Sequence, residues 1–131
     1  MYAGLIEEEL RPMDQGVHAL GIKVATPADL AQNSAPLLAW IQETGVTRLA
    51  VHFDLDVLSP QDFRAILPAK PYMSPADFGA ALGALTLEQM VRILNEVNKS
   101  AEIVGLCIAE HMPWDAINLR SALGRMPIFQ E

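Results

Sequence analysis

The chain is short of cysteine, of basic charge and of long apolar runs, and each shortage removes a class of protein. Its single cysteine, Cys107, has no partner within the 131 residues, which excludes a disulfide framework and fits a reducing cytoplasm. Lys and Arg number 9 against 16 Asp and Glu, for a formal net charge of −7. Without a basic footprint, neither nucleic acid nor an acidic membrane surface is an expected partner. No apolar run is long enough to span a bilayer, and the start lacks a basic segment followed by an apolar stretch. Histidine is sparse as well: His18, His52 and His111 stand alone in unrelated contexts.

What remains is a globular composition, 51% apolar, in a length that makes one domain or less. The stretch that organises it is Arg48-Leu49-Ala50-Val51-His52-Phe53-Asp54-Leu55-Asp56-Val57-Leu58-Ser59-Pro60. Its nearly unbroken apolar start reads as a central parallel strand covered on both faces. Where that strand should end it carries two carboxylates at i and i+2. In extended backbone Asp54 and Asp56 would point to one side, on the order of 6 to 7 Å apart. Two like charges held so close at an apolar edge repel unless a cation sits between them, and oxygen ligands suit Mg²⁺ or Mn²⁺. The alternative is structural: Asp-x-Asp after a strand also makes a turn with a helix cap.

The rest of the chain alternates. Met1 to Ile6 reads as a strand followed by the acidic Glu7, Glu8 and Glu9, which serve either as charge at its carboxyl end or as a solvated turn. Opening on a strand with no leader implies chain missing upstream. A short helix is expected over Pro12 to Leu20, with Asp14 as cap and Gly21 as left-handed stop, then a strand over Ile22 to Ala25. The next helix starts at Thr26-Pro27 or at Ser34-Ala35-Pro36 and stops at Gly45, burying Leu37, Leu38 and Ile41, with Trp40 as packing. After Asp56 comes a long irregular stretch, Val57 to Leu85, with a short helix near Ser74 to Ala81. Thr86 and Gln89 form a capping box for a helix to about Ser100, with Leu87, Met90, Val91, Leu94 and Val97 at helical spacing. Glu102 to Ala109, interrupted by Gly105, is a further strand that ends in Glu110-His111. Asp115 then caps a last helix closed by Gly124. Such alternation implies a parallel sheet with helices on both faces, whose carboxyl rim gathers Asp54, Asp56 and Glu110.

Phe53-Asp54-Leu55-Asp56 followed by Val57-Leu58-Ser59-Pro60 resembles the last metal-binding signature of the ureohydrolases, the manganese enzymes that include arginase and agmatinase. Tyr2-Ala3-Gly4-Leu5, Leu20-Gly21-Ile22 and Ile103 to Glu110 resemble later strands of that family in the same order. The resemblance implies a three-layer α/β/α fold of the arginase/deacetylase type with a parallel sheet, incomplete in this chain, with residues 1–131 as its carboxyl-terminal part. It implies Asp54 and Asp56 as ligands of a binuclear Mn²⁺ site that acidifies water. It also implies Glu110 as the carboxylate that orients a guanidino or amidino substrate by paired hydrogen bonds. His111, beside Glu110, is a further candidate for the substrate. His52 is either an orienting partner of the carboxylates or a core histidine.

The family's other ligands come from a Gly-Gly-Asp-His phrase and an Asp-Ala-His-x-Asp phrase, and neither occurs here. The site is therefore incomplete, no full catalytic set is present, and the chain alone is expected to be inactive. His52 stands where serine is common, Arg64 where proline is expected, and Cys107, expected as a small buried side chain, where aspartate is frequent. Two other functions compete. Phe53 to Leu58 also resembles the nucleophile motif of haloacid dehalogenase-like phosphatases, with Asp54 attacking phosphorus. A non-catalytic pseudoenzyme or assembly module would keep the fold alone. Half a parallel sheet bares an unpaired edge, so a homo-oligomer is expected.

Overall fold

The structure is a computed structural model and describes residues 1–123; Gly124, expected to close the last helix, lies outside them. Two parallel strand pairs carry the chain: β1 (Tyr2–Ala3) with β2 (Val24–Ala25), and β3 (Arg48–Asp54) with β4 (Glu102–Ala109). The helices between and after them are α1 (Gly16–Ala19), α2 (Pro27–Leu30), α3 (Ala35–Thr44), α4 (Pro75–Phe78), α5 (Leu87–Asn98) and α6 (Trp114–Leu123). Element order and strand direction agree with the sequence reading. The single continuous sheet does not appear; among the described residues it is two separate pairs.

Local chemistry explains the helix ends. Thr26 and Asp29 form a reciprocal capping box at α2, and the hydroxyl-bonded Asp29 carboxyl is held below its usual range. Both possible starts left open by the sequence are used, because the chain breaks after α2 and restarts at Ser34. Gly45 ends α3 at φ 68°, donating its N–H to the Ile41 carbonyl at 2.9 Å. Two caps fall elsewhere. Asp14 lies inside a 3-10 turn (Pro12–Asp14) and pairs with Arg11 at 2.6 Å, so α1 begins only at Gly16. Asp115 sits in the first turn of α6, where its charge faces the positive end of the helix dipole.

The core lies between α3, α5 and one face of β3. Thr86 caps α5 with Gln89, and the helix buries Met90, Ile93 and Val97; Leu87 and Val91, expected on that stripe, face outward. Along the flank of α5, Arg92 donates to the Leu30 carbonyl, while Glu96 accepts from Arg92 at 3.1 Å and from the Ser34 amide at 2.9 Å. Those bonds tie α5 to the link between α2 and α3. The long stretch after β3 is closed at its neck: Leu58 bridges Leu85, and the Ser59 amide donates to the Leu85 carbonyl at 2.8 Å. Both leucines are fully buried, each contributing on the order of 1.5–3 kcal/mol. The excursion therefore leaves from and returns to one point.

β3 alternates strictly, with Leu49, Val51 and Phe53 toward the core and Arg48, Ala50, His52 and Asp54 outward. β4 does not. Pairing skips Val104, a bulge at the expected Gly105 interruption, and Val104, Leu106, Cys107 and Ile108 are all exposed. Cover on both faces was expected; the described residues cover one face of β3 and little of β4. Cys107 is thus exposed, contrary to the expected buried side chain. No helix among the described residues is long and apolar enough to cross a membrane.

Candidate functional site

The end of β3 is shaped by where its leucines must go. Leu55 and Leu58 are both buried; three residues apart, they would face opposite sides of a strand but share a face of a helical turn. The chain accordingly leaves the strand at Asp54 and makes a 3-10 turn over Leu55–Val57. The extended backbone expected to present both aspartates is not used, because Asp56 rides on that turn. Asp54 caps it, its Oδ1 accepting the Asp56 N–H at 2.9 Å. The capping role is therefore present.

Asp56 is the anomalous residue of the rim. Its carboxyl is raised to about 6, first by burial, then by the negative charges of Asp54 and Glu110, with the Leu67 N–H acting in the opposite sense. Its Oδ1 is buried and without a hydrogen-bond partner among the described residues. A buried, partnerless carboxylate oxygen facing two more carboxylates is a costly arrangement unless a cation joins it. The charges of Asp54 and Glu110 both act on Asp56 and disfavour its ionised form. Asp54 lies opposite Ala109 in the strand register, so Glu110 is one residue past it. Glu110 is exposed and adopts φ 62°, a left-handed conformation that non-glycine residues take at a cost of about 1–2 kcal/mol.

The histidines are less engaged. His52 shares the outward face of β3 with Asp54 and is exposed; no hydrogen bond joins it to either aspartate among the described residues, and it is not a core histidine. His111 is exposed beside Glu110. Its neighbour Met112 donates to the Ala65 carbonyl at 2.8 Å, and Trp114 Nε1 donates to the Ile66 carbonyl at 2.8 Å. These bonds strap the segment after β4 to the loop after β3 at the same rim. Sequence reasoning placed this loop at the rim but not these bonds, and it missed Gly83. A Cβ on Gly83 would lie 2.2 Å from the Asp56 carbonyl oxygen and 2.4 Å from the Val57 carbonyl carbon. Only glycine lets that strand of the loop pack directly on the aspartate turn, and no periodic pattern around Gly83 signals it.

All three acids are hard oxygen donors of the kind Mg²⁺ or Mn²⁺ takes. Among the described residues, however, no group of three or more His, Cys, Asp or Glu is close enough to hold an ion. Asp54 and Asp56 are donors of the right chemistry but make up less than a set that would hold an ion.

No family model matches the sequence, and no curated protein does. Solved structures do match in fold. Arginase from Helicobacter pylori aligns over 86% of this chain and 35% of its own, with 14% identity and TM-score 0.63. Arginase from Entamoeba histolytica in complex with L-ornithine aligns over 86% and 36%, with 18% identity and TM-score 0.62. A hypothetical agmatinase from Burkholderia thailandensis aligns over 85% and 30%, with 19% identity and TM-score 0.56. The chain thus has an incomplete arginase-like α/β fold and spans about a third of the length of these neighbours.

Proposed function

We propose that residues 1–131 are the carboxyl-terminal part of a ureohydrolase-like domain, a binuclear-manganese hydrolase of a guanidino or amidino C–N bond, and that they are inactive alone. The observation that carries this reading is the buried, partnerless Asp56 oxygen facing Asp54 and Glu110 at the carboxyl rim of an arginase-like fold. Asp54 and Asp56 would hold Mn²⁺, which supplies activation of water and polarisation of the carbon under attack when bound. Asp54 does double duty: one oxygen fixes the turn through the Asp56 amide, which leaves the other for the ion. Glu110 would bind the planar cation of the substrate by charge-assisted hydrogen bonds, with His111 at its side and His52 flanking Asp54. A cytoplasmic location belongs to the same proposal, supported by the lone cysteine.

Mn²⁺ titration of the chain, followed by the loss of the free-ion EPR signal, tests it. Binding that Asp54→Asn and Asp56→Asn each abolish is expected, with no urea released from arginine or agmatine. Turnover by the chain alone, or Mn²⁺ binding indifferent to both substitutions, defeats the reading. The phosphatase reading keeps one supporting observation, an Asp56 carboxyl raised to about 6 and so suited to moving protons. Capture of a phospho-aspartate on Asp54 would install it instead. Homo-oligomer formation is proposed as well, supported by the exposed Val104, Leu106 and Ile108 of β4; a monomer by light scattering removes it.

A further inference from the structure

We propose that His52 and Cys107 together bind a thiophilic metal ion, Cu⁺, on the outward face of the β3–β4 pair, apart from the aspartate rim. β3 turns Ala50, His52 and Asp54 to that face. β4 starts on the same face with Glu102, which stands opposite Arg48 in register and lies 3.5 Å from its guanidinium. Simple alternation from Glu102 would next bring Val104, Leu106 and Ile108 outward and leave Cys107 on the other side. The bulge skips Val104, and one extra residue moves every later side chain to the opposite face. Gly105 therefore stands opposite Ala50, and Cys107 opposite His52. Bulges beside sites re-aim side chains, and the side chain re-aimed here is the one thiol of the chain.

The pair is open to a ligand. His52 and Cys107 are both exposed, and a Cβ on the neighbouring Gly105 would have no atom within 4 Å. Adjacent strands lie about 4.8 Å apart, a gap that an ion with bonds of about 2.3 Å to sulfur and about 2.0 Å to nitrogen can bridge. A thiolate and an imidazole suit Cu⁺ or Zn²⁺, whereas Mn²⁺ prefers oxygen. Zn²⁺ in a structural site takes four ligands, and among the described residues no third His, Cys, Asp or Glu completes a set with the pair. Two soft donors are enough for Cu⁺, a d¹⁰ ion that accepts low coordination numbers. As the S–Cu bond forms, the Cys107 thiol passes its proton to solvent and a neutral His52 ring nitrogen gives its lone pair; no electron is transferred. His52 stands where serine is common in the ureohydrolase phrase and Cys107 where aspartate is frequent, so the resemblance does not account for the pair. The inference does not depend on manganese binding.

The test titrates the full 131-residue chain against a coloured Cu⁺ chelator, in ascorbate and without oxygen. The chain should draw one Cu⁺ per molecule from the chelator. Cys107→Ser and His52→Ala should each weaken binding at least about tenfold. Their thermal melts should match the parent's, because both sites are exposed. In NMR spectra the His52 ring should shift on Cu⁺ addition, while the rings of His18 and His111 should not. Cu⁺ should also shield Cys107 of the parent chain from iodoacetamide, a readout that needs no variant. Saturating Mn²⁺ and Asp56→Asn should change none of this, which keeps the outcome distinct from that of the manganese reading. Absence of Cu⁺ uptake overturns the proposal. Uptake that His52→Ala leaves intact overturns it as well, by assigning the ion to the thiol alone. So does one Cu⁺ per two chains, which is a bridge between the thiols of two copies.

Discussion

β3 and β4 are neighbours of similar apolar content with opposite surroundings. Phe53 of β3 is 8% exposed, whereas Leu106 and Ile108, on the adjoining strand, are 52% and 58% exposed. α3 and α5 supply the cover that β3 needs, and among the described residues nothing supplies it for most of β4. Apolar character in a strand therefore records a demand for cover and does not say which residues meet it. It marked both strands in the sequence reading and predicted burial for both, of which only the core-facing side of β3 has it.

The widest gap between the strands should appear in stability. Phe53→Ala removes a packed ring and is expected to cost about 3–5 kcal/mol in urea unfolding. Ile108→Ala, at a half-exposed site, should cost less than about 1 kcal/mol. Equal costs would mean that β4 is covered in solution, and the comparison would break. The glycines give the next contrast. Gly83→Ala drives a methyl into the Asp56–Leu58 backbone, since its Cβ would also lie 2.5 Å from the Leu58 carbonyl oxygen. A loss of about 1–3 kcal/mol is expected, together with weakened Mn²⁺ binding. Gly105 in β4 has no atom within 4 Å of such a Cβ, so Gly105→Ala should be neutral or stabilising by up to about 1 kcal/mol. Thermal melts of the two variants side by side decide it.

What was legible in the sequence was local or periodic. The Thr86 and Gln89 box and the left-handed stops at Gly21 and Gly45 depend on neighbours within a few residues, and each stands as read; the strand from Arg48 also stands but ends at Asp54, two residues early. That Asp54, Asp56 and Glu110 fall at the carboxyl end of the β3–β4 pair was legible because parallel strands deliver their carboxyl ends to one rim. The route was misread: burial of both Leu55 and Leu58 forces a 3-10 turn that overrides extended backbone. Gly83, the strap from Met112 to Ala65 and the exposure of Cys107 were not legible, since each depends on a segment remote in sequence. The likeness to arginases covers about a third of their length.

The finest contrast lies at the two strand ends, where the carboxyl after β3 is part-buried and the one after β4 is exposed. Asp56 ionises near 3.8 in the unfolded chain and at about 6 when folded, so between those values the folded state holds more proton than the unfolded state. Raising the pH strips that proton against burial and two neighbouring charges. Stability in EDTA should therefore fall as pH rises from about 4 to about 6 and level off above. The change is modest, because solvent still reaches Asp56 and screens it. Asp56→Asn should flatten the slope. Glu110→Gln, which removes the smaller of the two charge effects, should only reduce it. Mn²⁺ at saturating concentration should abolish the slope in the parent chain by replacing the proton between the carboxylates. A slope that survives Asp56→Asn would locate the titration elsewhere and leave the β3 end no different in kind from the β4 end.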